Sequence, residues 1–155
     1  MFENSILGKS EEFAKKEYAK HDELHQWSHV EGVLEIALKL AENYPEVDME
    51  ILKLAVFFHD INYESYETHV DKSAEVARRF LEINNFDESR IKRVVEVMLS
   101  HSSPHREKLG EAKTIEGKII YDADKFIYAK LDGLLDNYYD RFYLDETRKL
   151  VDELR

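Results

Sequence analysis

At 155 residues, 43% hydrophobic and free of cysteine, the chain is long enough to bury one core without staples, and it excludes disulfides, thiolate metal sites and a cysteine nucleophile. Its formal charge of −11 opposes nucleic-acid phosphates and no local basic patch offsets it, so no nucleic-acid partner is expected. The first residues lack the basic start and apolar run of a signal peptide, and no later stretch reaches membrane-span length; the expectation is a soluble, cytoplasmic small-molecule protein with no membrane partner.

Five Gly, two Pro and helical periodicity nearly throughout predict an all-α single domain, 1–155, with its core at about 20–140. A first helix is expected from Ser10 to about Lys20. A second opens at Ser28, whose spacing to Glu31 makes a capping box, and ends near Asn43-Tyr44-Pro45. A third runs from Asp48 as N-cap to His59-Asp60, and a fourth from about His69 to Ile83 with Ala74, Ala77, Phe80 and Leu81 inward, before Asn84-Asn85 break the pattern. The fifth covers about Asp87 to Ser100, carries Ile91, Val94, Val95 and Met98, and is stopped by Ser102-Ser103-Pro104; a polar loop is expected next. A sixth begins near Thr114, and Phe142, Leu150, Val151 and Leu154 suggest a closing helix.

Several of these helices place an imidazole or carboxylate on their apolar face. Residues three, four and seven apart share one face of a helix. Asp124 lies on the stripe Ile120, Asp124, Ile127, Leu131, where a lone carboxylate would be costly to bury. His29 begins the stripe His29, Val33, Ile36, Leu40; His59 ends a stripe from Leu52 through Ala55 or Val56; His101 follows Val94, Val97 and Met98. Several helices can thus bring nitrogen and oxygen to one end of a shared core, where a divalent cation would satisfy them together. Taken singly, each has a structural explanation as a bonded core histidine or a helix cap.

His21, His25 and His29 are spaced by four, as are His101 and His105, and such pairs can grip one metal on a helix. A metalloprotease motif needs Glu directly after its first His, but Gln26 follows His25; a ferritin-like di-iron bundle needs Glu three before His, and no His here has one. What remains is the order H…HD…D: His29 in HQWSHVEGV, then AVFFHDINYE, then IIYDADKF. These segments resemble, in order and spacing, the HD-domain metal-dependent phosphohydrolases, over most of the chain. The small stand-alone branch is the nearest in kind, since a tryptophan there commonly precedes the first ligand, as Trp27 does, and His101-Ser102 and the helix HVDKSAEVARRFL fall where that branch has them. Phe126-Ile127 departs from the Leu-Asp pair of many relatives.

The resemblance implies an HD-type helical bundle holding one divalent metal ion through His29, His59, Asp60 and Asp124. Such nitrogen and oxygen ligands suit Mn²⁺, Fe²⁺, Co²⁺, Ni²⁺ or Zn²⁺, with Mg²⁺ disfavoured by imidazole. Asp124 is preferred over Asp122 as the last ligand because it lies on the stripe and matches the family's alanine-preceded Asp; Asp122 and His25 are then expected to orient the ligands. The implied activity is hydrolysis of a small phosphorylated substrate, a phosphate ester or nucleotide, by water activated at the metal, with Asp60 also relaying a proton. Lys72, His101 and Lys125 are the substrate-binding candidates, while Arg78 and Arg79 read as surface charges. His69 is a candidate for the cleft or for capping the fourth helix. A non-catalytic HD module binding a nucleotide or a protein is the alternative. Tyr138, Tyr139 and Tyr143 read as packing or a subunit contact, which would allow a homodimer.

Overall fold

A computed structural model describes residues 5–21, 26–62 and 69–155, of which position 69 in its backbone. Among them the chain runs α1 (Ile6–Tyr18), α2 (Trp27–Ala41), α3 (Met49–Phe58), α4 (His69–Ile83), α5 (Glu88–Ser100), α6 (Ser103–Leu109), α7 (Ile115–Asp132), the short α8 (Leu135–Tyr138) with a 3₁₀ turn (Tyr139–Arg141), and α9 (Asp145–Glu153). No described residue lies in a strand, as the all-α expectation required.

The arrangement follows from which faces are apolar. In α3, MEILKLAVFF, Ile51, Leu52 and every residue from Leu54 to Phe58 are buried, so past its first turn, where Met49, Glu50 and Lys53 reach the surface, this helix runs through the interior. It packs against α5, α1, α2 and α7, while α7 is flanked by α2 and α5, and α4 closes over α5. Each large side chain buried here, such as Leu54 or Phe58, contributes roughly 1.5–3 kcal/mol. The His59-Asp60 step at the end of the central helix is thereby carried into the interior, where both residues are buried.

Local signals set most of the boundaries. The Asp48, Asp87 and Thr114 side chains accept from Ile51 N, Arg90 N and Gly117 N, starting α3, α5 and α7. Asn85 takes a left-handed φ of 59° after α4, the conformation that an Asn tolerates and that ends the helix at the Asn pair.

Four expectations are corrected. The expected polar loop after Pro104 is α6: Ser102 caps it, and Pro104 in the first turn loses no bond because that N–H has no helical acceptor. The capping box of Ser28 and Glu31 does not form; α2 starts a residue earlier after Gln26, which makes no side-chain cap, and Trp27 packs on Tyr18 and Phe57. Leu131 does not extend the Asp124 stripe inward, being 72% exposed in the last turn of α7. Leu154 is likewise exposed, while Phe142 and Val151 join Phe126 in a small second cluster.

Candidate metal centre

Two of the histidines are fixed by the helices they end. His59 and His101 are the C-cap residues of α3 and α5, where the last carbonyls lack helical partners. Each ring turns back to use one: His59 Nδ1 donates to Val56 O at 2.6 Å and His101 Nδ1 to Met98 O at 2.5 Å. A carbonyl only accepts, so Nδ1 of each ring carries a proton and Nε2 is the atom turned inward. His29, in the first turn of α2, stacks on Tyr128 of α7 at 4.5 Å between ring centroids.

These rings meet two carboxylates. His29 Nε2 and His59 Nε2 each lie 3.2 Å from Asp124 Oδ1. Asp60 Oδ2 lies 3.6 Å from His29 Nε2 and 3.4 Å from His59 Nε2, and its Oδ1 lies 3.4 Å from His101 Nε2. One ligand atom from each of His29, His59, Asp60 and Asp124 falls within 4.8 Å of all the others, and all four residues are buried. Two imidazole nitrogens with two carboxylate oxygens, converging from three helix segments with the His59 ring held by Val56 O, fit a divalent cation.

The charges respond to this crowding. Burial pulls His29 down, but Asp124 and Asp60 overcome it and raise its pKa to about 9, so without a cation an imidazolium supplies positive charge to the cluster. Asp124 is pushed up by burial, yet Lys125, His29 and His59 hold it well below the ordinary carboxylate range. His101 is lowered by burial in spite of Asp60 and is therefore neutral. Burial disfavours the Lys125 ammonium, but Asp124 Oδ2 at 3.1 Å outweighs it.

The other candidates are placed as follows. Lys125 lies beside Asp124 and over the ring of buried Tyr121, 5.4 Å from its centroid. Lys72 sits half-buried in the first turn of α4, next to Asp71, whose carboxylate reaches His105 Nε2 at 3.3 Å; His105 thus ties α6 to α4. Arg78 pairs with Glu82 and Glu88 at the surface. Asp122 faces the C-terminal segment: it accepts from Tyr143 N at 2.9 Å, Leu144 N at 3.0 Å and Thr147 Oγ1 at 2.5 Å, holding the start of α9 onto α7. Burial pushes its carboxyl up to about 6 against those donors. His25 and the side chain of His69 lie outside the described residues.

Sequence reasoning passed over two aromatic neighbours of the cluster. Tyr128 is four residues beyond Asp124, hence on the same face of α7, and covers the His29 ring. Tyr18 ends the stripe Ser10, Ala14, Tyr18 on the buried side of α1 and accepts a hydrogen bond from Asp60 N at 3.1 Å. A cavity of about 220 Å³ beside α6, lined among others by His105, Arg106, Leu109 and Tyr143, includes none of the four clustered residues.

The same architecture occurs elsewhere. A crystal structure of a predicted HD superfamily hydrolase from an uncultured Thermotogales bacterium superposes with a TM-score of 0.72 at 23% identity, covering 94% of this chain and 82% of that one. Bacillus subtilis YpgQ gives 0.71 at 22% identity, with 95% and 87% covered, and its crystal structure in complex with ADP gives 0.69 at 20%, with 99% and 89% covered. Likeness at these identities is likeness of fold. No curated protein matches the chain significantly. The profile of the HD domain matches residues 27–129, which contain all four clustered residues. With that match over more than half its length, the chain belongs to the HD-domain family.

Proposed function

We propose that this protein is a metal-dependent phosphohydrolase acting on a small phosphate ester or nucleotide in the cytosol, with His29, His59, Asp60 and Asp124 holding one divalent cation. The observation that carries the reading is the closure of those four buried donors to within 4.8 Å. A cation so held is a Lewis acid, lowering the pKa of water from about 15.7 to as low as about 7 and polarising a phosphoryl oxygen. Mn²⁺, Fe²⁺, Co²⁺, Ni²⁺ and Zn²⁺ suit this mixed set better than Mg²⁺.

The chain's own residues divide the remaining work. Asp60 is the residue to hold the proton taken from the attacking water, because its Oδ1 faces the lone pair on Nε2 of neutral His101 at 3.4 Å, which can receive the proton in turn. His101 therefore serves the reaction from beside Asp60. Lys125 keeps an ammonium next to Asp124, placed to balance charge on a bound phosphate, and Lys72 on α4 is the second cation we assign to substrate. YpgQ, a protein of the same fold, was crystallised with ADP, which makes nucleotides the first substrates to try.

The test is to strip the protein with a chelator, add back single metals, and assay phosphomonoesters and nucleoside mono-, di- and triphosphates. Activity is expected with Mn²⁺, Co²⁺ or Ni²⁺, and His59→Ala or Asp60→Ala should abolish it with the helical circular dichroism intact. Metal-replete protein that turns over none of these, yet binds one tightly, would replace the enzyme by a binding module.

A further inference from the structure

We propose that Tyr18 is a positioning residue for the metal centre, acting on Asp60 through its backbone from a helix that precedes the residues matched by the family profile. The inference rests on the reading that His29, His59, Asp60 and Asp124 hold a divalent cation. The HD-domain match begins at residue 27, whereas α1 ends at Tyr18.

The need arises from how α3 ends. His59 is its C-cap, and the chain leaves the helix at Asp60, whose N–H is buried. A buried N–H without an acceptor is costly, so this turn keeps its shape only where an acceptor is supplied. The Tyr18 hydroxyl supplies it, accepting from Asp60 N at 3.1 Å across 42 residues of sequence. Tyr18 is itself fully buried and its ring is fixed edge-on to Trp27, 6.0 Å between centroids, so the hydroxyl is held rather than swung into place. Trp27 opens α2, whose first turn carries His29. One side chain thus braces two of the segments that deliver ligands.

The consequence is specific to Asp60. Without the hydroxyl, the turn relieves its orphaned N–H by rotating, and that rotation takes the Asp60 carboxylate away from His29 and His59. Metal binding must then restore the geometry at the expense of affinity. Partners that orient metal ligands in this way typically change affinity 10- to 100-fold on mutation.

The experiment compares Tyr18→Phe, which keeps the ring, with Ala14→Gly, which weakens the same helix at a buried position without touching Asp60. Mn²⁺ affinity is measured by calorimetry, and the visible spectrum of the Co²⁺-loaded protein reports ligand geometry. Tyr18→Phe should bind Mn²⁺ about tenfold more weakly and shift the Co²⁺ bands, whereas Ala14→Gly should lower Tm with affinity and spectrum unchanged. Equal affinities for wild type and Tyr18→Phe, or an equal loss in Ala14→Gly, would overturn the proposal. Hydrogen exchange of the wild-type Asp60 amide tests it without any variant: protection close to that of the α3 core is expected, and rapid exchange would refute it. If wild-type protein bound no metal at all, the metal reading would fall first, and the amide measurement would still decide the role of the hydroxyl.

Discussion

On the proposed metal assignment, the His29 imidazolium sets a cation and a proton in competition for one nitrogen. In the metal-free protein its pKa is raised to about 9, because the attraction of Asp124 and Asp60 exceeds the penalty of burial. The unfolded value is about 6.5, so the folded-state value is the higher one and folding binds the proton more tightly. This contribution is complete below about pH 6.5 and disappears as pH rises through about 9. A rise of about 2.5 units at about 1.36 kcal/mol each makes it worth about 3 kcal/mol. A cation can use His29 Nε2 only after that proton leaves, so metal affinity runs the opposite way, gaining about tenfold per pH unit below about 9. Calorimetric titration with Mn²⁺ between pH 6.5 and 8.5 should show about a hundredfold tightening. In buffers of different ionisation enthalpy it should show close to one proton released by His29 per metal bound. Over the same range the Tm of metal-free protein should fall. An Mn²⁺ affinity that changes less than threefold over this range, or a His29 that titrates near 6.5 in metal-free protein by NMR, would refute the reasoning.

Asp124→Asn should lower Mn²⁺ affinity at least a hundredfold by metal analysis after dialysis, while Asp122→Asn should change it less than threefold, because the Asp122 oxygens serve the α9 segment; the reverse order would assign the ligand to Asp122. Removing the Lys125 ammonium removes charge balance without removing the nucleophile, so Lys125→Ala and Lys72→Ala should each lower kcat/KM about 10- to 100-fold without abolishing activity in steady-state assays. Gly117→Ala should cost about 1–3 kcal/mol, seen as a Tm drop of about 2–12 °C, since an added Cβ would stand 2.7 Å from Ser100 Oγ and 3.0 Å from its Cβ on the neighbouring helix. An unchanged Tm would mean that α5 and α7 separate more easily than their packing implies. Saturating metal at about 100 times Kd should stabilise the protein by about 2.7 kcal/mol, raising Tm by about 5–11 °C in thermal melts, and a chelator should reverse it.

What the sequence determined by itself is whatever depends on neighbours along the chain. Apolar spacing placed α4 from His69 to Ile83 and the inward direction of Asp124, and short polar side chains at Asp48 and Asp87 marked where α3 and α5 begin. The order of His29, His59-Asp60 and Asp124 was legible as a pattern because they begin, end and interrupt apolar stripes. Signals that name a residue type without its partner were weaker guides. Pro104 reads equally as the end of α5 or the first turn of α6, and Ser28 with Glu31 spells a cap that the packing of Trp27 pre-empts. Tertiary structure alone decided the rest. His29 and Asp124 stand 95 residues apart and meet at 3.2 Å because α2 and α7 pack directly on each other and both pack on α3. It likewise divided two carboxylates on one helix, Asp124 toward the histidines and Asp122 toward α9, and it set the Tyr18 hydroxyl against Asp60 N. Periodicity fixes the direction in which a side chain leaves its helix; the partner it finds depends on long-range packing.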